Sequence, residues 1–290
     1  MFLIFILLLL INIVLNLNGL IASIYKTLNT WFYNVLPSIF IFYNISNYLI
    51  SNKIILFVSK IFKFIIKFES QYSYSLLLIN IFLGNPGTTS LINEAFNNNK
   101  ISINDYRTLN SICIYMNPLF VITFFNIKFY IIYFISILIY IKIYSLIINR
   151  NKKNLFLLQS VNRNYSINDF YLSINKSINI ILNVAGVMVF FNIIKQTFSF
   201  YINYFDLNYF SLKFILSFIE VSSGLKDISL YNNINLNILL LSSQGICILI
   251  QSLSYLNKKN ISFSKYILNH ILSTIVVSCI FIILSFIFHI

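Results

Sequence analysis

The sequence predicts an all-α polytopic membrane protein of about seven transmembrane helices with two further broken, re-entrant segments. Three observations lead there. Hydrophobic residues make up 59% of the 290 and charged residues only 9%, where a soluble domain carries about 25% charged residues, so a water-facing surface cannot be covered. Apolar runs of membrane-crossing length recur along the chain. The scarce glycines and prolines, six and three in all, interrupt apolar stretches, and at membrane depth such backbone must be buried in protein or line a water-filled cavity. The chain, 1–290, reads as one integral transporter-like domain with halves of about 1–149 and 178–290, joined by a polar loop at 150–177.

A crossing needs roughly 20 apolar residues, and the candidates are 2–22, 33–51, 110–126, 129–149, 178–200, 236–256 and 267–289. The first has no charged residue after Met1 and no A-x-A cleavage site, so it reads as a retained span. In 54–68, Lys60, Lys63 and Lys67 recur at helical spacing among Ile61, Phe62, Phe64, Ile65 and Ile66, the pattern of an interfacial amphipathic helix at the cytoplasmic face. Segments 75–92 and 209–224 are apolar but short and interrupted.

The net charge of +13 lies in separate loops. These hold Lys53, Lys60, Lys63 and Lys67; then Arg150, Lys152, Lys153, Arg163 and Lys176; then Lys258, Lys259 and Lys265. Basic loops report orientation, and nothing in their layout suits nucleic acid, which wants one basic surface with interleaved aromatics. All three loops are cytoplasmic if 75–92 and 209–224 each dip in and return to their own side. The N-terminus is then inside, the C-terminus outside, and the two re-entrant segments enter from opposite faces, a weak inverted repeat of the kind secondary transporters show. Cys113, Cys247 and Cys279 all sit in apolar spans without a CxxC, and His270 and His289 are the only histidines. They read as buried free thiols, with no disulfide, metal site or cofactor. No GxSxG, P-loop, HExxH or GxGxxG pattern points to an enzyme.

The candidate site lies where polar residues break apolar stretches. Gly84-Asn85-Pro86-Gly87-Thr88-Thr89-Ser90 reads either as an interhelical loop or as a break whose following helix, capped by Thr88, Thr89 or Ser90, offers free N–H groups to an anion. Asn117-Pro118 is either a kink in span 110–126 or a second unwound point. Glu220, in Glu220-Val221-Ser222-Ser223-Gly224, is an acidic residue in an apolar stretch. It reads as a binder of a coupling proton or cation, or as an interfacial partner of Lys226 or Lys213. Ser242, Ser243, Gln244, Gly245 and Gln251 serve helix packing or line a cavity, and Gln244 and Gln251, seven apart, share one helix face.

Four stretches in register resemble the sporulation integral membrane protein family (YlbJ-like), with its nucleoside-recognition "Gate" domain. Leu36-Pro37-Ser38-Ile39-Phe40 is similar to V-x-P-x-L-x-P-F. Gly84-Asn85-Pro86 with Leu91-Ile92-Asn93-Glu94 and Lys100-Ile101-Ser102 is similar to a G-[YF]-P-x-G-A-K turn, short helix and I-[ST] connector. Asn117-Pro118-Leu119-Phe120 is similar to N-x-x-P-x-F, and Glu220 to Gly224 to E-[IV]-[ST]-x-G. Thr88 stands where the family has Gly and Ser90 where it has Lys, so a charged anion partner is absent there unless Arg107 substitutes; Gln244-Gly245 replaces Gly-Gly. The resemblance implies a carrier moving dipicolinic acid across the outer forespore membrane of a spore-forming bacterium. Gly84, Asn85, Pro86, Thr88, Thr89, Ser90, Asn117, Glu220, Ser222, Ser223, Gly224, Gln244, Gly245 and Gln251 would then line the site. The partners are the lipid bilayer, a small-molecule anion, and further copies or other sporulation membrane proteins. The alternatives are a nucleoside carrier or channel and a non-transporting sporulation scaffold.

Overall fold

A computed structural model describes residues 2–50, 58–148, 166–207, 210–229, 231, 233–257 and 259–288. Every regular element among them is helical. Lys53, Arg150, Lys152, Lys153, Arg163, Lys258 and His289 lie outside the described residues.

The chain opens with α1 (Phe2–Leu15) and α2 (Leu17–Thr30), which meet at a bend of 100°. Asn16 supplies the bend with non-helical dihedrals (φ −138°, ψ 39°), and Asn18 and Gly19 beside it are weak helix formers. From Leu17 the helix runs on through a π turn (Trp31–Val35) into α3 (Leu36–Ile50). Pro37 accounts for the widened turn: it lacks an N–H and its ring crowds the carbonyl four residues back, and a π turn gives that carbonyl room.

The same order of elements then occurs in both halves. In the first, the long helix of α2 and α3 is followed by a hairpin of α4 (Gln71–Leu83) and α5 (Gly87–Asn97), a broken pair of α6 (Ile103–Ile112) and α7 (Pro118–Phe124), and the straight α8 (Ile127–Ile148). In the second, α9 (Ile167–Tyr204) precedes a hairpin of α10 (Phe210–Ser217) and α11 (Val221–Ser229). A broken pair of α12 (Ile234–Ser243) and α13 (Gly245–Tyr255) and the straight α14 (Phe263–Ile287) follow. The halves join along matching elements: α2 and α3 lie against α9, and α8 lies against α14.

The span count differs from the expected seven. Four helical stretches among the described residues are long and apolar enough to cross a membrane: Ile127–Ile148, Ile167–Tyr204, Ile234–Tyr255 and Phe263–Ile287. The bent pair at the start makes a fifth if counted as one. Candidate spans 2–22 and 33–51 share that bent pair, because the chain turns at Asn16 and then stays helical to Ile50. Span 110–126 is not continuous: α6 stops at Ile112 and α7 starts at Pro118. Part of the predicted polar loop is helix, since Ser166 and Asp169 form a reciprocal capping box that starts α9. In segment 54–68 the described residues, 58–68, hold a short 3-10 turn (Ser59–Phe64), in which Phe62 is buried and Ile61 and Phe64 are exposed, followed by a buried Ile66.

The long helices are greasy outside and small and polar inside. On α14, Leu268, Ile271, Leu272, Ile275 and Ile283 are exposed, whereas Ser273, Thr274, Ser278 and Ser285 are buried. Ser242 and Ser278 hydroxyls meet at 2.7 Å between α12 and α14. In lipid, apolar side chains gain nothing by turning inward, so small residues that let backbones approach hold the bundle together. This inverted pattern makes the protein an integral membrane protein. Cys113 and Cys247 are buried as expected, but Cys279 is exposed on α14.

Candidate functional site

Each hairpin tip is held by the broken pair of its own half. In the first half, α4 ends at Gly84, whose φ of 61° favours glycine. A Cβ there would collide with the backbone N of Asn117, so the tip and the extended segment 113–117 can touch only because residue 84 has no side chain. The Asn85 N–H donates to the Tyr115 carbonyl at 3.1 Å, and the Asn85-Pro86 peptide is cis. In the second half, the carbonyls of Phe218 and Ile219 accept from the N–H groups of Ile246 and Cys247 at 2.7 and 3.1 Å. Gln244 (φ 57°) and Gly245 (φ 68°) adopt left-handed backbone to make that turn, and a Cβ on Gly245 would lie 3.0 Å from the Phe218 carbonyl oxygen.

The tip of the first hairpin then meets the break of the second half. Thr89 Oγ1 donates to Asn85 Oδ1 at 2.8 Å, orienting an amide whose Nδ2 donates to Gln244 Oε1 at 3.3 Å. Beside this contact lies a cavity of about 30 Å³, room for a water molecule or so. Its polar walls are Asn85, Asn117, Glu220, Ser222 and Gln251. Its apolar walls include Val35 and Ile39 after the π turn, Phe120 of α7, and Val184 and Met188 of α9. Both halves therefore contribute hairpin, broken pair and long helix to one space.

Helix N-termini must find partners for their free N–H groups, and most here find them within the protein. Asn117 is the N-cap of α7, accepting from Phe120 N at 2.7 Å while its Nδ2 donates to Ser38 Oγ at 3.2 Å. Asn117-Pro118 is thus a helix start, with proline at the first position where its missing N–H costs nothing, and not a kink. Glu220 plays the same part for α11. Its carboxylate accepts from Ser222 N (2.9 Å), Ser222 Oγ (2.7 Å) and Ser223 N (2.8 Å). The expected ion-pair partner Lys226 donates instead to Thr30 Oγ1 at 2.7 Å. The first turn of α5 is different: Pro86 occupies the cap position and no side chain caps it. The hydroxyls expected to cap lie inside the helix, where Thr88 Oγ1 donates back to the Gly84 carbonyl.

Of the predicted residues, Asn85, Pro86, Asn117, Glu220, Ser222 and Gln251 line the cavity. Gly84 and Thr89 build the first tip beside it, and Gln244 and Gly245 the break of the second half. Thr88 and Ser90 belong to the first turn of α5, and Gly224 packs α11 against Ser217 of α10. Ser223 faces a neighbouring cavity. Gln244 and Gln251 do not share one helix face, because the left-handed residue 244 precedes α13. Arg107 is not a substitute anion partner; its Nε donates to the Asn260 carbonyl on the exposed side of α6. Two buried amide atoms at the site, Gln244 Nε2 and Gln251 Oε1, have no hydrogen-bond partner. Of the two residues, Gln251 lines the cavity.

Lys195 and Asp227 are not among the predicted site residues. Lys195 is 5% exposed on α9, and its Nζ donates to Asp227 Oδ2 at 2.6 Å and to Ser223 Oγ at 2.8 Å. A lysine inside the apolar span 178–200 was the signal. No protein-family model, curated protein or solved structure matches the chain.

Proposed function

We propose that the chain is a secondary carrier for a small organic solute, with dipicolinate as the leading substrate and the two hairpins acting as re-entrant gates of an inverted repeat. The observation that carries the reading is the convergence of both hairpin tips and both broken pairs on one small cavity, with the unpartnered Oε1 of Gln251 in its wall. Unwound backbone between half-helices is what transporters use at the substrate site. At about 30 Å³ the cavity is too small for a ring bearing two carboxylates, so on this reading substrate enters when one hairpin moves.

Dipicolinate and the forespore membrane rest on the family resemblance. Electrostatics adds a condition. Glu220 is the charged residue among those lining the cavity, and a dianion beside an ionised carboxylate is repelled. An anion therefore crosses only with its charge offset, by a proton or cation taken up at Glu220 or by cations nearby. The same walls favour a second reading. Neutral amides beside Phe120 suit a nucleoside, whose base offers a ring face and hydrogen-bonding edges.

Deleting the gene in its host and assaying spore dipicolinate tests the first reading; loss of dipicolinate is expected, and a normal content would remove dipicolinate as substrate. Binding of uridine, adenosine and dipicolinate to the purified protein then separates the two solutes.

A further inference from the structure

The cations missing from the central cavity stand next door. A second pocket, of about 40 Å³, lies between α2, α9 and α11. Ser222 lines both spaces, so only the first turn of α11 separates them. The wall of the second pocket carries two ammonium groups, Lys26 from α2 and Lys226 from α11, and one carboxylate, Asp227, which already holds Lys195 at 2.6 Å.

The pocket is built by three separate elements and is tied together. Asn192 Nδ2 of α9 donates to the Ser23 carbonyl of α2 at 3.1 Å. Lys226 Nζ reaches across from α11 to Thr30 Oγ1, which in turn donates to the Lys26 carbonyl. Two like charges drawn to one small polar space repel, and an anion between them turns that repulsion into two charge-assisted contacts. An ammonium carries three donors, so Lys226 can keep Thr30 and still serve a ligand.

We propose that this pocket is an outer anion site, taking a carboxylate or phosphate-type anion on Lys26 and Lys226 before it passes the first turn of α11 into the central cavity. The proposal deepens the carrier reading above and rests on it for the direction of travel, but the site itself binds or fails to bind independently. It also explains how an anion approaches Glu220: its charge is met by ammonium groups a helix turn away.

The test uses the full chain in nanodiscs, titrated with pyridine-2,6-dicarboxylate and with inorganic phosphate at low and high salt. Saturable binding that weakens with salt is expected, with at least a tenfold loss in Lys26→Gln and a larger one in Lys26→Gln/Lys226→Gln, while Lys226→Arg binds as the wild type does. Lys26 is exposed, so its single variant folds even if the double variant does not. Affinity unchanged in Lys26→Gln, or no binding of either anion to the wild type, overturns the site. Flux of dipicolinate into proteoliposomes is measured in parallel. Lysine-dependent binding without flux keeps the site and removes the carrier reading. Flux equal in wild type and lysine variants keeps the carrier and removes the site.

Discussion

Gly84 and Glu220 show how single residues make a hairpin tip. Gly84 is the point at which two backbones touch, and alanine there meets both the Asn117 backbone N and a φ of 61°. A strained backbone position of this kind costs on the order of 1–3 kcal/mol. Gly84→Ala should therefore lower the unfolding temperature of the detergent-purified protein by several degrees; an unchanged melt would mean that the tip and segment 113–117 do not touch. Glu220 closes α11 with three hydrogen bonds to Ser222 and Ser223. Glu220→Gln keeps an acceptor for one N–H but loses the charge, at about 1 kcal/mol, so insertion survives. If Glu220 also takes up the coupling proton or cation, the variant loses the pH dependence of dipicolinate flux in proteoliposomes. A pH profile identical to wild type leaves Glu220 as a cap alone.

Hairpins and long helices form the next level, and α9 organises them. The two ion pairs among the described residues both use it: Lys176 holds Glu94 of α5 at 2.7 Å, and Lys195 holds Asp227 of α11 at 2.6 Å. At 1.5 Å per residue these lysines stand about 28 Å apart along the axis, nearly the thickness of a hydrocarbon core. Each hairpin is thus fastened to a different end of one helix while the tips converge on the cavity between them. Under the proposed inverted repeat, hairpins so placed enter the membrane from opposite faces. Single cysteines at the exposed residues Asn98 and Tyr231, just past the second helix of each hairpin, should be labelled by a membrane-impermeant maleimide from opposite sides, in a Cys279→Ser background. Labelling of both from one side would falsify the inverted arrangement. Exposed ion pairs contribute little to stability, so Lys176 with Glu94 serves position more than energy.

Across the whole molecule, two structurally alike halves wrap one site, and their shared order of elements is the reason the site is central. Neither half can close it alone: Asn85 and Asn117 come from the first, Glu220, Ser222 and Gln251 from the second. Under the proposed carrier function, one half, or one hairpin, would move against the other, and the small residues along α8, α9 and α14 would permit that sliding without exposing polar backbone to lipid.

Composition alone determined the class of the protein, because 9% charged residues cannot solvate a fold in water. Gly84, Pro86 and Pro118 determined where helices break, since these residues act through their own backbone. The sequence also carried the cap chemistry of Ser166 and Asp169 in plain order. Only the tertiary structure decided how many apolar runs are true spans: whether 110–126 continues or breaks depends on Asn117 finding Phe120 N and Ser38, a contact across 79 residues. It alone joined Asn85 to Gln244, 159 positions apart, and set Lys195 against Asp227. Such pairings leave no periodic trace in the chain, because the spacing between partners is fixed by how helices pack, not by the pitch of any one of them.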